Sequence, residues 1–328
     1  MGIVGLIANP ASGKDVRRLA ARASVFDNQE KGAILRRALA GIASTPGDTC
    51  IAYLDDLHTI ARQALRESAT SLQFDPVIAS RTASALDTIT AARSLSELAC
   101  SVILTLGGDG TNRAVVKGWP DAPLIAISTG TNNVFPVLLE ATVAGAAAGL
   151  IAGGTIAIRE VARRHKLIHV QIDGEDDDVA LIDAVLSRDR FVGARALLDP
   201  DRIDSVLLTR ADPAAIGMTA LGGLMCPLEA TDDAALAVDL GPDGDPWQVP
   251  IAPGHYRLLR IRECRPVEFD ETVTFRGPGV IAFDGERERT LNPEQSARLT
   301  VRRDGPWVVD VRKTMTLAAE RRVFRFQR

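Results

Sequence analysis

The sequence has no basic excess. Its 328 residues carry 38 Lys and Arg against 42 Asp and Glu, a formal net charge of −4. A chain so balanced offers no electrostatic grip on nucleic acid or on an anionic bilayer. Cysteine is scarce: Cys50, Cys100, Cys226 and Cys264 are far apart and form no CxxC pair. That pattern fits a reduced, cytoplasmic protein with incidental thiols. The opening "MGIVGLIANP" lacks the basic start and long apolar stretch of a signal peptide and reads as a first strand. One long segment has no charge, Ala141 to Ile158, with Gly145, Gly149 and Gly153 four apart. Such spacing suits a close-packing membrane helix. The segment is mostly Ala and Gly, however, and Gly153-Gly154 would interrupt it. The preferred reading is a soluble helix over Ala141–Ala152, packed closely on a sheet, then a strand from Thr155.

Several common motifs are missing as well. A Walker A loop needs GxxxxGK[ST], but Ala8 stands at its first glycine and Asp15 follows Lys14. No GxGxxG occurs, which argues against a dinucleotide-dependent dehydrogenase. "AISTG" misses the nucleophile elbow because Ala126 replaces its first Gly. His165 and His169 have the spacing of a zinc-binding HExxH, but Lys166 replaces the Glu, so they read as ordinary strand histidines. The acidic run Glu175–Asp178 reads as a solvated hairpin tip.

What is present has two rhythms. With 46% hydrophobic residues, the chain has enough apolar surface for two cores. The first half alternates apolar runs at Ile3–Ala8, Cys50–Leu54, Val77–Ala79, Val102–Leu106 and Leu124–Ile127 with helical stretches near Gln29–Ala43, Leu57–Glu67 and Ala85–Ala99. Strands alternating with helices predict a parallel sheet with helices on both faces, and ligands at the carboxyl ends of its strands. From about residue 160 the pattern changes. "KLIHVQIDGEDDDVALIDAVL" reads as two strands around an Asp-Gly turn. "HYRLLRIREC", "ETVTFRGPGVIAFDGERERTL" and "SARLTVRRDGPWVVDVRKTM" alternate with period two. The expected architecture is an α/β domain over 1–158 and a β-rich, mostly antiparallel domain over 159–328, whose last segment can return to the first. The tail "ERRVFRFQR" reads as a final packed segment.

Three loops would share the sheet's carboxyl edge. "LTLGGDGTNRAV" ends a buried strand on Gly107, Gly108, Asp109, Gly110, Thr111 and Asn112. "NPASGK" supplies Asn9, Ser12, Gly13 and Lys14, and "STGTNNVFP" supplies Thr129, Gly130, Thr131, Asn132 and Asn133. Glycines let several backbone amides approach one anion, and a helix starting near Thr111 would add its positive end. Asp109 is the odd residue, since a carboxylate repels phosphate. It makes sense as a Mg²⁺ ligand or as the acceptor of a substrate's hydroxyl proton.

With these motifs the chain resembles the NAD kinase and diacylglycerol kinase superfamily, and within it the ATP-NAD kinase-like acetoin-catabolism protein X branch. The resemblance spans most of the chain. It implies that the GGDGT segment contacts nucleotide phosphates, with Asp109 near the metal or the hydroxyl. "ALIDAVLSRD" is similar to a segment built on Asn-Glu that helps bind NAD, with Ile182 for the Asn and Asp183 for the Glu. "GMTALGG" resembles the GSTAY motif, with Met218 for Ser and Thr219 retained. "FDGE" matches the late Asp-Gly-Glu of the lipid-kinase branch, which makes Asp284 and Glu286 candidates for deprotonating the acceptor, against an ordinary Asp-Gly hairpin turn. The resemblance implies an ATP- and Mg²⁺-dependent kinase acting on a hydroxyl, NAD first, and a homo-oligomer. Polyphosphate is a rival donor. A polyol or keto-alcohol is a rival acceptor, and a nucleotide-binding regulator without turnover is the rival class.

Overall fold

The computed structural model describes residues 1–13, 27–130, 133–189 and 200–325. The first half runs β1 (Gly2–Ala8), α1 (Asn28–Ala43), β2 (Thr49–Tyr53), α2 (Ile60–Glu67), β3 (Gln73–Pro76), α3 (Ala85–Glu97), β4 (Val102–Gly107), α4 (Asp109–Gly118), β5 (Pro123–Ser128) and α5 (Ala141–Ala152). The strands pair in parallel in the order β3-β2-β1-β4-β5. Side chains alternate across a strand. Val4, Leu6, Leu104 and Ile125 therefore enter one core, while Ile7, Ile103 and Leu124 enter another on the opposite face. Burial on both faces is why these strands read as continuous apolar runs. β3 is the exception. It lies at the edge with all four residues exposed, several residues before the expected Val77–Ala79, so it carried no apolar signal.

The uncharged segment forms α5 over the expected Ala141–Ala152, and it packs on α1 as well as on the sheet. A Cβ at Gly145 would sit 2.0 Å from the Ala38 carbonyl oxygen, and one at Gly41 would sit 2.0 Å from that of Thr142. The glycine spacing thus serves contact between two helix backbones inside the domain. Among the described residues no helix is long and apolar enough to cross a membrane. The strand expected from Thr155 is absent. The amides of Thr155 and Ile156 both turn back to the Leu150 carbonyl. α6 (Ile158–Val161) and β6 (Ala162–Arg164) follow.

The second half comprises β7 (Leu167–Ile172), β8 (Asp178–Ala180), β9 (Asp183–Ser187), β10 (Ile203–Leu208), α7 (Met218–Gly223), β11 (Ala235–Ala252), β12 (His255–Val267), β13 (Val273–Arg276), β14 (Gly279–Phe283), β15 (Glu286–Leu291) and β16 (Ser296–Arg302). They form two antiparallel sheets, β12-β11-β10-β9-β14-β15 and β13-β16-β7-β8. Val170 and Leu299 from one share a core with Leu207, Ile281 and Phe283 from the other. The segment expected as two strands after Lys166 is three, because the chain crosses between sheets at Leu181-Ile182. β17 (Trp307–Val309) returns to the first sheet between β5 and β6. The stretch after it, expected as strand, is α8 (Val311–Glu320), because the Asp310 carboxylate accepts from the Lys313 amide at 2.8 Å and caps a helix. Of the C-terminal tail, residues 326–328 lie outside the described residues.

Replacing Gly145 with Val forces α1 and α5 apart. The expected outcome is a loss of about 3 kcal/mol, read from the urea midpoint. An unchanged midpoint would mean that the helices do not meet at Gly145.

Candidate active site at the edge of the parallel sheet

The three glycine-bearing loops converge. β1, β4 and β5 are neighbours, so their carboxyl ends lie side by side. The Asn9 amide donates to the Leu106 carbonyl at 3.0 Å, and the Thr129 amide to Gly107 at 3.2 Å. Asn9 Nδ2 donates to Thr111 Oγ1 at 2.8 Å, and the hydroxyls of Ser12 and Thr129 meet at 2.9 Å. Asn112 is buried. Its Oδ1 accepts from Thr105 Oγ1, and its Nδ2 donates to the Gly108 carbonyl. Asn133 Nδ2 donates to Ser128 Oγ, which donates in turn to the Gly130 carbonyl. Asn133 Oδ1 would lie 2.8 Å from a Cβ at Gly108. Gly13 is half-buried beside Ser12. Lys14, Thr131 and Asn132 lie outside the described residues. α4 begins at Asp109, slightly before the expected Thr111, and its cap residue Gly108 places no side chain on the first-turn amides.

Asp109 faces the third loop. Its carboxylate accepts from the Val134 amide at 3.1 Å and from the Phe135 amide at 2.7 Å. Among the described residues no three His, Cys, Asp or Glu side chains gather as a metal site.

The antiparallel half brings in the Asp-Gly-Glu hairpin. Asp284 (φ 50°) and Gly285 (φ 81°) form the two-residue turn between β14 and β15, both left-handed as such hairpins require. The buried Asp284 carboxylate accepts from the amides of Leu181, Ile182 and Asp183, and its own amide donates to the Asp183 carbonyl. It therefore fastens the turn to the segment where the chain changes sheets. Burial pushes its carboxyl up to about 6, and Asp109 adds to the rise; Arg113 and the Leu181 and Ile182 amides pull back. Ile182, in place of the family's Asn, is core. Glu286 follows the turn and reaches α4, where a Cβ at Gly110 would meet its Oε1 at 3.3 Å. The hairpin reading and the site reading of this segment thus describe the same residues.

Thr219 is buried in α7. Its carbonyl accepts from the Asp212 amide, and its Oγ1 has no partner among the described residues. Asp212 lines a cleft of about 310 Å³ whose other walls include Asn133, Val134 and Glu229.

Three basic residues of this region were not singled out in the sequence. Lys31 is fully buried, and its ammonium donates to the carbonyls of Asn9, Pro10 and Ser12. It shapes the first loop from beneath. Its signal was helical spacing, since Lys31 falls on the apolar stripe of Leu35, Ala38 and Ile42. Arg113, one turn after Gly110, pairs with Asp178 and Glu288, donates to the Val179 carbonyl and lies over the Phe283 ring. Burial disfavours its charge, but Glu288 and Asp178 outweigh that and raise its pKa. Asp178 is consequently not at a solvated tip. It is buried against Arg113, Lys117 and Arg289, and despite desolvation Arg113, Lys117 and the Val179 amide hold its carboxyl below the ordinary value. Arg210, on the cleft wall, is the third. Of the two histidines read as strand residues, His169 lies in β7 and bonds Asp304, whereas His165 lies between β6 and β7 and packs edge-on to Phe135, with burial pulling its pKa down to about 3.

A parallel-sheet half with glycine loops at its carboxyl edge, closed by an antiparallel half that delivers an Asp-Gly-Glu hairpin, defines the NAD kinase class of fold. Residues 4–155 match the model of the ATP-NAD kinase N-terminal domain, and residues 166–304 that of the acetoin catabolism protein X C-terminal domain. Acetoin catabolism protein X of Cupriavidus necator is 33% identical over 341 residues, covering 98% of this chain and 94% of that protein. The chain belongs to the acetoin catabolism protein X family. Its fold is also similar to yeast NADH kinase complexed with NADH, at TM-score 0.56 and 12% identity over 100% of this chain and 89% of that one.

Two outcomes are expected. Arg113→Met leaves Asp178 buried without its main counter-charge and should cost about 3 kcal/mol in chemical denaturation. The second concerns Asp284, whose folded pKa of about 6 exceeds the ordinary 3.8. The folded protein then holds this proton more tightly than the unfolded chain. That stability is fully present below about pH 4 and is lost as pH rises through 6. Asp284→Asn keeps one acceptor oxygen but cannot titrate. Wild type should therefore lose about 3 kcal/mol relative to the variant between pH 4 and pH 7. Parallel stability profiles would assign Asp284 an ordinary pKa.

Proposed function

We propose that this chain is an ATP-dependent phosphotransferase with a hydroxyl acceptor, and that NAD or a similar hydroxylated metabolite is the acceptor. The observation that carries this reading is the approach of the Glu286 carboxylate to Gly110, in the middle of the three converged loops. Membership of a family whose N-terminal half matches an ATP-NAD kinase domain supports it. In this reading residues 1–158 bind the nucleotide and residues 159–302 present the acceptor, with β17 and α8 returned to the first half. A cytoplasmic homo-oligomer is part of the same proposal.

The mechanism asks for little covalent chemistry from the protein. Amides of the Asn9–Gly13 and Gly107–Thr111 loops hold the phosphate oxygens. Glu286 accepts the acceptor's hydroxyl proton, that oxygen bonds to the terminal phosphorus, and the bond from phosphorus to the leaving ADP oxygen breaks. Asp109 orients the third loop through Val134 and Phe135 and is the alternative base. Asp284 positions Glu286 by fixing the turn. Asp109, a carboxylate on the glycine loop, is the residue that would hold a Mg²⁺ brought by the nucleotide, since hard cations take oxygen ligands. Bound there, the ion would supply charge neutralisation at the transferred group.

A regulator that binds nucleotide without turnover is the second reading, favoured by the burial of Ile182 where the NAD kinase segment it resembles has an Asn. ADP release from Mg-ATP with a panel of hydroxylated acceptors separates the two. Acceptor-dependent release is expected, and Glu286→Gln should lower kcat by about 10²- to 10⁴-fold with little change in Mg-ATP affinity. Tight nucleotide binding with no acceptor-dependent release leaves the regulator.

A further inference from the structure

Arg210 is a cation set into the cleft wall. Its Nε and Nη2 are buried and have no hydrogen-bond partner among the described residues. In a guanidinium those two nitrogens form one edge, and their N–H bonds point the same way. That edge matches the two oxygens of a phosphate or carboxylate. Two orphaned buried donors are costly, and a merely structural arginine would satisfy them on a carbonyl, as Lys31 does. Nor is the group an ion-pair member, since no carboxylate lies within 4.0 Å of it among the described residues. Burial pulls its pKa down, while the more distant Asp109, Asp212, Glu229 and Asp284 favour the charged form.

The cleft is continuous with the candidate site. Asn133, whose Oδ1 packs over Gly108, forms part of its wall, and so does Val134, whose amide donates to Asp109. We infer that Arg210 docks an oxyanion, phosphate or carboxylate, of the molecule that enters this cleft. If the kinase reading holds, on which this last step rests, the acceptor is an anionic hydroxyl compound. A neutral polyol or keto-alcohol would leave the Arg210 edge unpaired.

Anion binding tests this on the whole protein. Inorganic phosphate and acetate are titrated at constant ionic strength into wild type, Arg210→Met and Arg210→Lys, with melting temperatures recorded without anion. The Met variant should lose about tenfold in affinity for whichever anion is recognised, and the phosphate and acetate arms identify which. The Lys variant, keeping charge but not the paired edge, should fall between. Because Met removes orphaned donors, its melting temperature should equal or exceed that of wild type. The inference is overturned if wild type binds neither anion or if Arg210→Met binds both like wild type. It is overturned equally if the Met variant melts about 5 °C or more lower, since that would make Arg210 structural. Mg-ATP binding by the same samples reports on the glycine loops separately. Its failure in wild type sinks the kinase reading while leaving the Arg210 result standing.

Discussion

The grip of Arg113 on Glu288 sets the geometry of the site. Arg113 follows Gly110 by three residues, so both lie on one face of α4. Glu288 follows Glu286 by two, at a bulge where β15 has one residue more than β14, and the bulge turns its carboxylate to Arg113. A helix with that spacing laid along a strand with that spacing makes two matched contacts. Arg113 meets Glu288, and Gly110 faces Glu286. The first contact is an ion pair with a buried guanidinium, further held by Asp178 and by the face of Phe283. The second is a carboxylate against bare backbone, close enough that a Cβ at Gly110 would push Oε1 back by a few tenths of an ångström. The ion pair therefore brings the Glu286 contact into register. A shift of β15 by one residue would turn both glutamates away.

Much of the remaining polar content is spent on backbone. Lys31 gathers carbonyls of the first loop, Asp109 takes amides of the third, Asn112 joins β4 to the start of α4, and Asp284 collects amides where the chain changes sheets. Each arrangement satisfies main-chain groups that a loop would otherwise turn to water. In the proposed function the remaining amides of this rim would face a ligand, the form electrostatic stabilisation takes when it is built before the substrate arrives.

This division explains what was legible in the sequence. The parallel strands were legible because burial on both faces makes them apolar throughout, and α5 was legible from its glycine spacing. β3 was not, since an exposed edge strand needs no apolar side chain. α8 was missed because the cap at Asp310 outweighs the local alternation that suggested a strand. In the site, Gly107 to Asn112 could be read because close backbone approach demands glycine wherever it occurs. Asp178 looked like one more charge on a hairpin tip. Its burial depends on Arg113, Lys117 and Arg289, partners from elsewhere in the chain that local sequence does not bring together. Lys31 was readable from helical spacing, whereas nothing near Arg210 in the sequence marks its cleft.

The same physics separates the two halves of the site. A loop that binds through main-chain amides is indifferent to most side chains but intolerant of any at its glycines, so its sequence stays recognisable: GGDGT. A surface that binds through side chains obeys no such rule. The segments that the family resemblance aligns with acceptor recognition here carry Ile182, Asp183 and Met218 in place of Asn, Glu and Ser. Ile182 has been drawn into the core, and Asp183 is tied through its backbone to Asp284. Nucleotide-facing chemistry of the kinase class and a differently built acceptor wall can therefore coexist in one chain. In the proposed reading, an arginine edge in the neighbouring cleft, rather than an Asn-Glu pair, faces the acceptor.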